Sequence, residues 1–203
     1  MSRPGVAATC AVALLAGFIT GRVTGSGSSK TTTVTDTVDH VVAVNGAHLG
    51  SASDPRDGGL LDLKRIVSVR RGTLLTTTIV AGRPWNDSLL RGGRVRLSIL
   101  YDSNDDGRVD RRDVVFLFHG RITSWISSLG QGVQAATVTR HSATTISVAR
   151  DASVLYDASG EAGMLTTSPI GVAVLARWKG GADRVPNRGW VTVLPPGATT
   201  ASP

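Results

Sequence analysis

Apolar and polar residues alternate in short runs along most of the chain, and no stretch sustains the apolar spacing of an amphipathic helix. The alternation, with its β-branched and aromatic residues, predicts strands at 61–69, 73–81, 94–101, 114–118, 120–126, 134–140, 144–149, 170–178 and 189–194. A further strand at 34–44 serves either as an added edge or as part of a stalk. The separators are turn formers: Asn45-Gly46, Asp54-Pro55, Arg70-Arg71-Gly72, Pro84-Trp85-Asn86-Asp87-Ser88 and His141-Ser142. Segment 151–164 starts as helix-tolerant but is interrupted by Gly160 and Gly163, so it reads as a loop or one short helical turn. Segment 179–188 reads as a connection. Many short strands joined by such turns predict an all-β fold, a single β-sandwich of jelly-roll type.

One turn carries chemistry. Asp102-Ser103-Asn104-Asp105-Asp106-Gly107-Arg108-Val109-Asp110-Arg111-Arg112-Asp113 has oxygen-bearing side chains at positions 1, 3, 5, 9 and 12 of a twelve-residue loop, with glycine at position 6. That is the spacing of an EF-hand calcium loop. Asp102, Asn104, Asp106, the Arg108 carbonyl, Asp110 and Asp113 are the expected ligands of a structural Ca²⁺ ion, the last weakened by its short side chain. The flanks read as strands and not as helices, so the loop caps a hairpin and an opening sensor pair is unavailable. The alternative is a solvated acidic turn, since Asp, Asn and Gly populate turns for local reasons.

Composition changes the picture in three places. The run 6–20 is apolar, uncharged and preceded by Arg3, which predicts a signal peptide or an N-terminal anchor over 1–25. Residues 26–50 follow as a Gly/Ser/Thr-rich tether with a possible edge strand, 51–194 as the sandwich and 195–203 as a frayed tail. Export to the cell surface is the expected location, with membrane contact only through an uncleaved N-terminal segment. The single cysteine, Cys10, excludes an intrachain disulfide. The formal charge of +7 comes almost wholly from arginines scattered along the chain, a dispersion that argues against a nucleic-acid partner.

Asp54-Pro55, Leu61-Asp62-Leu63, the Asp102–Gly107 turn and Asp183-Arg184-Val185-Pro186-Asn187-Arg188-Gly189-Trp190 together resemble landmarks of the carbohydrate-binding family 9-like and DOMON-like β-sandwich superfamily, over about 51–194. The resemblance implies a calcium ion beside Asp102, Asn104 and Asp106 and either a glycan or a haem as ligand. For a glycan or cell-wall polymer the stacking candidates are Trp85, in a Pro-Asn-Asp loop, with Trp125 and Trp178 in strands. A haem would need Met164 opposite His119 or His141.

Catalytic signatures are missing: there is no Gly-x-Ser-x-Gly, no His-Glu-x-x-His, and Glu161 is the one glutamate. The sequence therefore predicts an exported, non-catalytic binding module. Its alternative is a surface protein-interaction domain without a small ligand. Exposed coplanar tryptophans would favour the first, and buried tryptophans the second.

Overall fold

The computed structural model describes residues 37–44, 47–54, 59–128, 132–156 and 168–195. The expected signal or anchor segment, most of the tether, the C-terminal tail and Met164 lie outside them. The fold is all-β, as expected. Its strands are β1 (Thr37–Val44), β2 (Ala47–Ser53), β3 (Leu63–Arg71), β4 (Leu74–Ala81), β5 (Val95–Asp102) and β6 (Arg111–Phe118). There follow β7 (Arg121–Ser128), β8 (Gly132–Arg140), β9 (Thr145–Asp151), β10 (Ile170–Trp178), β11 (Gly181–Val185) and β12 (Val191–Val193). Among the described residues no helix is long and apolar enough to cross a membrane.

Every strand pair is antiparallel, and the strands form one sheet in the order β1-β2-β3-β4-β9-β8-β7-β6-β5-β10-β11, with β12 also on β10. The two layers expected of a sandwich are halves of this sheet. They are joined at β8, whose residues 132–136 pair with β7 and whose residues 137–140 pair with β9. The sheet then curls until β2 and β3 lie against β12 and β11, nearly closing a barrel. Leu63 N–H donates to the Asp183 carboxylate across this seam at 2.5 Å. Asn187 donates to Asp54 at 2.6 Å beside it.

The alternation sets which face is inside. Ile66, Leu75, Ile79, Leu97, Ile99, Val115, Ile126, Ile146, Val148, Val172 and Val174 are buried in one cluster. Each fully buried side chain of this kind contributes about 1.5–3 kcal/mol. One inward polar pair is Ser68 and Thr77, whose hydroxyls meet at 3.1 Å on neighbouring strands.

Three elements differ from the expectation. β2 crosses the boundary drawn at residue 51 and carries β1 as an edge strand, so 37–44 belong to the sheet. β11 falls inside the expected connection 179–188. The break at Trp85–Ser88 leads into a 3₁₀ segment, Asp87–Gly93, capped by Asn86, whose side chain accepts from Ser88 N–H at 2.9 Å. The one short helical turn expected after residue 151 is present as Ala152–Leu155.

Candidate functional site

The acidic loop joins β5 to β6, as the flanking patterns predict. It is wound by its own side chains. Asp102 accepts from Asp106 N–H at 3.2 Å and Gly107 N–H at 2.9 Å, Asn104 from Asp106 N–H at 3.2 Å, and Asp106 from Arg108 N–H at 2.8 Å. Gly107 adopts φ +81°, the left-handed conformation its position requires. Asp110 turns back to Ser103, accepting from its N–H at 2.7 Å and its hydroxyl at 2.8 Å. Among the described residues no three His, Cys, Asp or Glu side chains converge as a metal site.

Asp113 is a correction to the expected ligand set. β6 begins at Arg111, so Asp113 lies in the strand opposite Ile99 and Ile126 and faces the interior. It is fully buried. Arg150 Nε donates to it at 2.6 Å, Arg150 Nη2 closes a second bond on the other oxygen, and Tyr101 Oη donates at 2.9 Å. Both carboxylate oxygens therefore serve a buried fork, which is the arrangement that holds an ionised pair inside a protein. Burial pushes the Tyr101 phenol well above its ordinary value of 10.0, the adjacent Asp113 charge adds to the rise, and Arg150 works against it.

The tryptophans exchange roles. Trp85, read as the exposed loop candidate, is buried, with the Arg140 guanidinium 4.1 Å above its ring and Arg140 itself paired to Asp87 at 3.0 Å. Trp178 packs on the seam: a Cβ at Gly59 or Gly181 would meet its ring at 2.6 or 2.8 Å. Neither ring is presented to a ligand. Trp125 is the stacking candidate that faces solvent, at 37% exposure.

Register explains why. Val114, Trp125 and Ala135 are directly opposite one another on β6, β7 and β8, on the face that looks away from the core. Phe116 and Phe118 follow Val114 on the same face by alternation. Trp125 meets Phe116 at 4.7 Å and Phe118 at 5.5 Å between ring centroids, with interplanar angles of 80° and 57°. Phe118 is 47% exposed and Val133 63%. Sequence reasoning missed both phenylalanines, although the alternation starting from buried Val115 places them outward.

The same face gathers arginines that are scattered in sequence. Arg177 is opposite Arg96, Arg112 is opposite Leu100, and Arg121 is opposite Phe118. All four arginines are exposed, and among the described residues none of their guanidinium groups is held by a hydrogen bond or ion pair. Ser98, Leu100 and Ala173, also on this face, are buried.

His141 Nε2 meets Ser147 Oγ at 2.8 Å, but among the described residues no carboxylate orients the imidazole, and the bond ties the β8–β9 turn. His119 stands in the turn beside Phe118 at 4.1 Å between ring centroids. No protein-family model, curated protein or solved structure matches the chain.

Proposed function

We propose that the chain is a non-catalytic binding module that holds an extended glycan or cell-surface polymer against the outward face of β6 and β7. The observation that carries this reading is the solvent-facing cluster of Trp125, Phe116 and Phe118 on a sheet whose other face is packed as core. Exposed aromatic surface of this kind on a folded chain marks a contact site. The N-terminal apolar run supports export, which would bring the module to such a polymer. The loop from Asp102 to Asp110 is proposed as its structural Ca²⁺ site, with Asp102, Asn104, Asp106 and the Arg108 carbonyl as protein ligands. Asp110, held by Ser103 within the loop, is not counted among the direct ligands, and Asp113 is engaged in the core by Arg150.

The deciding experiment is calorimetric titration of the full chain with a panel of soluble polysaccharides, repeated with Trp125→Ala. Saturable binding that disappears in the variant, with an unchanged melting temperature, supports the module. Binding unaffected by Trp125→Ala, or no binding to any polymer, overturns it.

A protein partner is the second reading, favoured by one observation. Phe116 meets Trp125 and Phe118 edge to face and Phe118 is tilted against Trp125, so the three rings share no plane, whereas flat sugar stacking uses coplanar rings. Aromatic residues and arginine are also the side chains enriched at protein interfaces.

A further inference from the structure

We infer that the ligand of this face is a polyanionic polysaccharide, one with a carboxylate on its repeating sugar; the inference rests on the polymer-binding reading above and names its ligand class. The argument is charge complementarity around the aromatic cluster. Arg96 and Arg177 stand side by side on β5 and β10, and Arg121 stands two strands from Arg96, about 10 Å across the sheet. Phe116 and Phe118 lie between them on β6. Among the described residues, the outward positions of β5, β6, β7 and β10 carry one carboxylate, Asp102, which is buried and turned into its own loop.

A neutral glycan has no use for this arrangement. Exposed arginines left without internal partners repel one another weakly and gain nothing from sugar hydroxyls that water does not supply. A carboxylate changes that, because the guanidinium fork matches it with two parallel N–H···O bonds. One exposed indole with flanking cations suits a chain in which charged groups alternate with the apolar faces of sugar rings. A single-stranded nucleic acid is a different matter. Its successive bases stack on successive ring faces, and here Trp125 stands edge to face with Phe116 and tilted against Phe118, so no such ladder is presented.

The test titrates the full chain with three probes of matched length: polygalacturonate, neutral dextran and oligothymidylate. The expected result is binding of polygalacturonate in preference to both others, with affinity falling about tenfold between roughly 50 and 200 mM salt. Arg96→Gln with Arg121→Gln and Arg177→Gln is expected to lose about tenfold in affinity for polygalacturonate and to melt as the parent does. Equal, salt-insensitive binding of dextran and polygalacturonate overturns the inference while the polymer-binding reading stands. Tighter binding of oligothymidylate overturns it in favour of nucleic acid. Binding of none of the three overturns both.

Discussion

Tyr101 and Tyr156 are the two tyrosines of the chain, and burial raises both phenols above 10.0. A phenol whose folded value is raised favours the folded state while it is protonated. Its contribution is complete below the unfolded value near 10 and is lost as pH rises through the folded value. Tyrosinate absorbance at pH 10 should therefore fall below that of two free tyrosines, and the share of fully buried Tyr101 should appear together with loss of the fold at higher pH. Two free-tyrosine midpoints near 10 would contradict the packing of Tyr101 against Asp113. The Asp113–Arg150 pair makes a second demand. Removing Asp113 alone leaves a buried guanidinium uncompensated, so Asp113→Ala is expected to cost about 3–5 kcal/mol in urea unfolding. Asp113→Leu combined with Arg150→Met should recover most of that loss, because both desolvation penalties disappear together. At this scale the sequence misled in a specific way. Loop spacing placed Asp113 among the cation ligands, while strand alternation through Val115 and Leu117 placed it inward, and the alternation prevailed.

Elements were legible where their own residues declare them. β3, β4, β5, β7, β9 and β10 carry β-branched or aromatic residues at alternating positions, and their expected spans differ from the observed ones by a few residues at most. β2, Ala47–Ser53, has no β-branched residue, and β11 opens with Gly181-Ala182-Asp183; both are strands because a neighbour offers a free edge. The exposed face was illegible for a related reason. Trp125 sits between Ser124 and Ile126, which are the inward pair, so hydrophobicity along β7 pointed the wrong way. The β5–β6 loop is the element proposed to hold calcium, and among the described residues no three acidic side chains converge there in its absence. Three side chains and one carbonyl fall short of the six to eight oxygens calcium takes, so water must complete the shell. Calcium titration of the full chain is expected to give a dissociation constant of about 10⁻⁴–10⁻³ M, with a concentration-dependent rise in melting temperature. Asp102→Ala should abolish that rise and also lower the melting temperature in chelator, since Asp102 holds two loop amides without any ion. A variant that melts like the parent in chelator would show that those two bonds contribute nothing.

For the molecule as a whole, stability depends on bringing the two ends of one long sheet together. Among the described residues no hydrogen-bonded ladder joins β2 to β12, and the seam is made by side chains and close approach. Gly50 is its tightest point. A Cβ there would lie 2.5 Å from Val191 Cγ1 and 2.7 Å from the Thr192 carbonyl oxygen, and the second of these is backbone that cannot rotate aside. Gly50→Ala therefore forces β12 away from β2. Overpacking of this kind costs about 1–3 kcal/mol, and the loss is expected in chemical denaturation. The proposed binding face is on the other side of the barrel wall; its aromatic cluster stands on β6 and β7, whose pairing does not involve the seam, and of its arginines Arg177 alone is on a strand, β10, that pairs with the seam strands. Gly50→Ala protein that remains folded should thus keep its affinity for the polymer while losing stability, and Trp125→Ala should do the reverse. That crossed result would separate the residues that close the fold from those that use it. A Gly50→Ala variant that lost affinity in proportion to stability would mean instead that the face is shaped by closure, and the two could not be treated as independent.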